Sequence, residues 1–206
     1  MIVAIEAAST DPSVAVAAPD GTLLGVDGWS ATPRQTHELL PRLLALLAGS
    51  DGTLAQVSAV AVGIGPGSFT GLRVAMSIAK GLAFARGIPI VGVPSLEAWL
   101  AAEPAADGAV SRAGAREAYL LARDGGEPRI VDRGALPRDQ QLVAPVELAS
   151  AFELANVVSP VRAAGSVAAL AARRLQADPG GDDLERLEPR YLRLPRGVAP
   201  TLVEGR

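Results

Sequence analysis

A few residues of this chain carry groups able to do chemistry. Glu6 directly follows the apolar run at residues 2–5, and a carboxylate at the end of a buried strand can hold a metal ion or orient a water. His37 is the single histidine. Ser68 lies inside the run Gly63-Ile64-Gly65-Pro66-Gly67-Ser68-Phe69-Thr70-Gly71-Leu72-Arg73, the densest glycine segment of the chain. Glycines there tolerate positive φ and let other groups approach the backbone, and the free N–H groups of a helix starting after them could hold an anion. The competing reading is structural: a tight turn that lets the helix sit close to its sheet. Neither the P-loop nor the dinucleotide-binding pattern is present, and Lys80 lies well down the following helix.

The rest of the inventory narrows the chemistry. There are no cysteines, so disulfides and thiolate metal sites are excluded, and one histidine cannot build a histidine-based metal site. A peptidase is therefore disfavoured. A serine mechanism would need His37 to orient Ser68, and nothing in the spacing brings them together. Ser68 reads more simply as a helix N-cap and His37 as a helix-start residue. Asp11 and Asp20 read as turn formers. The net charge is −3 and the pI about 5.3, so the chain lacks the basic footprint of a protein that grips nucleic acid unaided. Any RNA contact is expected from a partner. The apolar start at residues 1–5 is short and followed at once by Glu6 and Asp11, so it is not expected to be a signal peptide; no run of about 18 apolar residues occurs, and the expected location is the cytoplasm, without a membrane span.

The elements that must position these groups are legible in hydrophobic period. Hydrophobic residues make up 49% and aromatics only 3%, so the core must rest on close packing of small aliphatic side chains. Residues 2–5 form a buried strand, residues 14–18 a second, and Asp20-Gly21 turns the chain into a third at residues 23–26. Leu39, Leu40, Leu43, Leu44, Leu46 and Leu47 recur at helical spacing, with Pro41 near the start and Gly49 at the end. Residues 57–64 form a buried strand, residues 71–86 a helix closed by Gly87, and residues 90–93 a further strand. Ser95 is placed as the N-cap of a helix over residues 96–101. A boundary is expected near residues 103–114. Beyond it, strands are expected at 118–122 and 129–131, helices at 146–154 and 167–175, and a loose tail at 195–206. The result is an α/β protein with a mixed sheet flanked by helices: a first lobe over residues 1–103, a smaller second lobe over 104–185, and a segment at 186–206 returning to the first lobe.

The helix over residues 71–86 is apolar across an arc of roughly 200°, wider than the single stripe of a surface helix. It is expected to bury two sides. Gly71, Ala75, Ala79 and Ala83 form a small-residue ridge along it.

The run Gly65-Pro66-Gly67-Ser68-Phe69-Thr70-Gly71-Leu72-Arg73 resembles the signature of the TsaB (YeaZ) family, bacterial proteins of tRNA threonylcarbamoyladenosine biosynthesis. Ile5-Glu6-Ala7-Ala8-Ser9, His37-Glu38-Leu39-Leu40-Pro41, Lys80-Gly81-Leu82-Ala83, Val93-Pro94-Ser95-Leu96 and Pro189-Arg190-Tyr191-Leu192-Arg193 continue the likeness. Glu6 stands where that family usually has Asp. The resemblance implies an actin-like ATPase (ribonuclease H-like) fold with two lobes. It implies a non-catalytic partner of the related subunit TsaD, which would carry ATP and metal, with a TsaE-like ATPase joining them and a homodimer possible. tRNA would be reached only through the complex, and no cofactor would be intrinsic to this chain. It also implies docking through first-lobe helices, which assigns Leu39, Leu40, Leu43, Leu47, Leu72, Ala75, Met76, Ala79 and Ala83 to the partner surface. The alternative is an actin-fold ATP-dependent enzyme acting alone, with Glu6 as its carboxylate.

Overall fold

A computed structural model of the chain describes residues 1–30 and 37–192. The first lobe is built on a five-stranded sheet of order β3-β2-β1-β4-β5. Its strands are β1 (Ile2–Glu6), β2 (Ser13–Ala17), β3 (Leu23–Gly28), β4 (Ala59–Gly63) and β5 (Ile90–Val93). β1, β2 and β3 form the antiparallel meander that the Asp20-Gly21 turn demands, while β4 and β5 join in parallel.

Side-chain alternation along these strands sorts residues by size. Val3, Ile5, Val14, Val16, Val60 and Val62 point to one face, where α1 (Leu39–Gly49) and α2 (Phe69–Arg86) cover them. Ala4, Ala15, Ala17, Ala59 and Ala61 point to the other, against α5 (Ala164–Ala177), which meets them with Ala164, Ala168, Ala171 and Ala172. Alanine facing alanine brings helix and sheet close together, and this is how a chain so poor in aromatics fills its core.

The second lobe holds a sheet of order β10-β9-β6-β7-β8, from β6 (Gly108–Arg112), β7 (Glu117–Ala122), β8 (Arg129–Asp132), β9 (Leu142–Val143) and β10 (Val157–Val158). α4 (Val146–Phe152) packs Leu148 and Phe152 against it. α3 (Ser95–Ala102) links the lobes through Leu96 and Trp99, which join Ala109, Tyr119, Leu121 and Val143 in one cluster.

Three expectations change. β6 falls in the stretch taken as a boundary; its small residues belong to a buried strand rather than a linker. α5 lies within 104–185 but covers the first sheet, so the second lobe is smaller than the division at 103/104 implies, and the chain returns to the first lobe before residue 186. Ser95 is not an N-cap: Pro94 occupies that place, and the Ser95 hydroxyl is fully buried, accepting the Gly65 N–H at 3.0 Å. The tail at 195–206 lies outside the described residues.

Candidate functional site

The glycine-rich run is read most directly from what surrounds it. Ser68 caps α2, its hydroxyl accepting the Gly71 N–H at 3.2 Å, and its own N–H donates to the Ala8 carbonyl at 2.7 Å. A methyl added at Gly67 would collide with the Ala8 carbonyl oxygen, and one at Gly71 with that of Ala7. These glycines therefore let the start of α2 lie directly on the loop after β1. Gly65 has φ of 90°, a left-handed conformation that favours glycine. Pro66 offers its carbonyl to the Ser111 hydroxyl at 2.9 Å, tying the run to the second lobe.

Glu6 is buried to 1% exposure. Its Oε1 accepts the Ala8 N–H at 2.7 Å, while Oε2 has no partner among the described residues. The Gly63 Cα sits against the carboxyl, leaving no room for a side chain at that position. Burial pushes its pKa up to about 7; the Ala8 N–H and the nearby Ser95 and Trp99 side chains act in the opposite sense. Asp11 does more than form a turn. It is buried and accepts the Ser30 hydroxyl at 3.1 Å and the Ser159 hydroxyl at 2.8 Å, joining the end of the meander to the chain after β10. His37 is exposed ahead of α1, and no hydrogen bond joins it to Ser68.

Between the lobes opens a cleft of about 340 Å³. Ser9 and Thr10, Gly67, Ser68 and Phe69 line its first-lobe wall; Ser111 to Gly114, Pro145, Glu147 and Leu148 line the other. Glu6 does not reach it. Sequence reasoning missed this cleft, because its second-lobe wall comes from β6 and its turn, which look like a linker. Among the described residues, no three His, Cys, Asp or Glu side chains gather as a metal site would require.

The helical surfaces tell a second story. Leu39, Leu43 and Leu47 are buried in the chain's own core, as are Leu72, Ala75, Met76, Ala79 and Ala83. The Gly71–Ala75–Ala79–Ala83 ridge faces its own sheet. Of the nine residues assigned to a partner, only Leu40 lies at the surface, 36% exposed. The outward face of α1 is instead Leu40, Pro41, Leu44, Ala45 and Ala48; that of α2 carries Ser77, Gly81, Phe84 and Ala85 beside half-buried Val74, Ile78 and Leu82. The charged residues near these faces are held back by their own chain. Arg42 pairs with Asp27 and Glu38, Lys80 donates to the Glu185 carbonyl, and Arg86 to that of Ala55. The signal available in the sequence was Leu40-Leu44-Ala48, a second stripe displaced by one residue from Leu39-Leu43-Leu47.

Two mixed sheets flanked by helices, with a cleft between them, define a two-lobed α/β protein of the actin-like, ribonuclease H-like class. YeaZ from Pseudomonas aeruginosa shares this fold, with a TM-score of 0.69, 23% identity, and coverage of 93% of this chain and 99% of that one. A model of the TsaD family, tRNA N6-adenosine threonylcarbamoyltransferase, matches residues 28–134, just over half the chain. The TsaB protein of Escherichia coli strain K12, named for tRNA threonylcarbamoyladenosine biosynthesis, is 40% identical over 96 residues, covering 46% of this chain and 40% of that protein. The Haemophilus influenzae TsaB protein is 48% identical over 63 residues, 31% of this chain and 27% of that one, so the chain matches under half the length of these curated relatives. The chain belongs to the TsaD family, in its TsaB (YeaZ) group.

Proposed function

We propose that this chain is a non-catalytic subunit of an assembly that makes threonylcarbamoyladenosine on tRNA, docking a TsaD-like transferase subunit through the outward faces of α1 and α2. The observation that carries the reading is the composition of those faces. Two neighbouring helices on one side of the sheet present Leu40, Leu44 and Phe84 toward solvent beside half-buried Ile78, and Arg42, Lys80 and Arg86 are bound elsewhere in the chain. A face with this many exposed apolar side chains is costly to leave wet and suits a stable protein partner. The names of the relatives support this choice of partner: the TsaB proteins are named for threonylcarbamoyladenosine biosynthesis, and the matched family model for the transferase.

ATP and metal belong, in this reading, to the transferase subunit. A TsaE-like ATPase and the tRNA join through the complex, in the cytoplasm, and a homodimer through the same face would compete with the transferase. Glu6 does not line the cleft, and no helix among the described residues is long and apolar enough to cross a membrane. The lone-enzyme alternative assigns its carboxylate to Glu6, which does not line the cleft.

Reconstitution tests the proposal. tRNA modification by the transferase subunit should rise strongly when this chain is added, and the two should co-elute in gel filtration. Full modification without the chain would contradict it, as would magnesium-dependent ATP hydrolysis by the chain alone that Glu6→Gln abolishes.

A further inference from the structure

Phe69, Arg73 and Tyr191 form a cluster at the mouth of the cleft that the docking reading leaves unused. The Arg73 guanidinium lies 4.2 Å from the centroid of the Phe69 ring, and its Nε faces the Tyr191 hydroxyl at 3.4 Å. The two rings are tilted at 38° with centroids 5.4 Å apart. Phe69 is 39% exposed and lines the cleft. Across the cleft, Arg112 stacks 5.6 Å from the Phe152 ring. Neither arginine has a carboxylate partner among the described residues, whereas Arg42, Arg174, Arg186 and Arg190 all do. A hydroxyl also waits in the cleft wall: Thr10 Oγ1 is buried without a hydrogen-bond partner.

An exposed aromatic ring, here Phe69 beside half-buried Tyr191, next to a planar guanidinium is what an unpaired nucleobase stacks on, and an arginine without a carboxylate partner nearby is what its phosphate needs. The overall charge of −3 is a sum over the molecule, and the cleft lining itself carries one arginine, Arg112, and one carboxylate, Glu147, with Arg73 beside its rim. The geometry points to a contact site for a single-stranded nucleotide of RNA, with the base on the Phe69–Arg73–Tyr191 platform and the adjoining phosphate toward Arg112. The RNA identity rests on the proposed role in tRNA modification; the platform itself does not.

The test uses the full chain, without the transferase subunit. A short single-stranded oligoribonucleotide carrying 4-thiouridine is titrated at low salt, cross-linked, and compared with a duplex of the same sequence and with adenosine monophosphate. The expected result is preferential binding of the single strand, with cross-links on the peptides holding Phe69 or Tyr191. Arg73→Gln and Tyr191→Ala should weaken binding about fivefold or more, while Tyr191→Phe retains most of it. Arg112→Gln should reduce the salt dependence by about 0.7 in slope. Three results would overturn the inference: equal affinity for duplex, variants that bind as the wild type does, or adenosine monophosphate binding as tightly as the oligonucleotide. Failure here with an intact heterodimer refutes only the RNA site; failure of the heterodimer with cross-linking preserved refutes only the docking reading.

Discussion

Glu6 is a carboxylate at a strand end that the fold buries almost completely. It ends β1, where a functional carboxylate could stand, yet it is sealed beside Gly63 and Trp99 with one oxygen unpartnered. Its folded pKa of about 7 lies above the ordinary 4.5. The neutral form is thus the stabilised one: its contribution is complete below about pH 4.5 and is lost as pH rises through about 7. At about 1.4 kcal/mol per pKa unit, the loss is roughly 3 kcal/mol. Denaturant unfolding at pH 5 and pH 8.5 should show the wild type losing this stability and Glu6→Gln keeping it; parallel pH profiles would disprove the assignment. The glycines make a second comparison. Gly71→Ala should cost about 1–3 kcal/mol, because its methyl must displace the Ala7 backbone. Gly81→Ala should instead stabilise the chain by about 0.5–1 kcal/mol, since nothing lies within 4 Å of the new methyl and alanine is the better helix former. Midpoints that move together would show that the close approach of α2 to the β1 loop is not what these glycines serve.

At the scale of elements, period and capping made most of the first lobe legible. The meander followed from Asp20-Gly21, α2 from Ser68 and Gly87, and α1 from its leucines. What the period could not tell was which of two apolar stripes on one helix faces inward. Leu39-Leu43-Leu47 and Leu40-Leu44-Ala48 differ by one residue, about 100° around the axis, and only the sheet beneath decides between them. The same holds for α2, whose ridge of small residues would suit either a partner helix or the chain's own strands. The strands did the choosing: valines on this face of the sheet leave space that Ala75, Ala79 and Ala83 fill closely. Substitutions separate the two faces. Leu43→Glu or Ala79→Glu buries a charge in the core and should cost about 3 kcal/mol or more of stability, read as a fall in denaturant midpoint. Leu44→Glu should leave the midpoint within about 0.5 kcal/mol of the wild type.

For the whole molecule, the first hundred residues carried strong signals and the second lobe weak ones. β9 and β10 have two residues each, too short to show any period, and β6 begins amid alanine and glycine. α5 has a clear helical pattern, but sequence spacing cannot say that it crosses back to the alanine face of the first sheet, because that contact joins residues some 150 positions apart, as in Ser13 accepting the Ala164 N–H at 3.0 Å. The cleft was hidden for the same reason: its two walls meet only in three dimensions. In the proposed role, the outward face of α1 and α2 is the docking surface for the subunit that does the chemistry. Isothermal titration of the transferase subunit into the wild type and into Leu44→Glu tests this most directly. Saturable binding by the wild type, at least a hundredfold weaker in a variant of unchanged stability, is the predicted result; equal affinity for both proteins would contradict it.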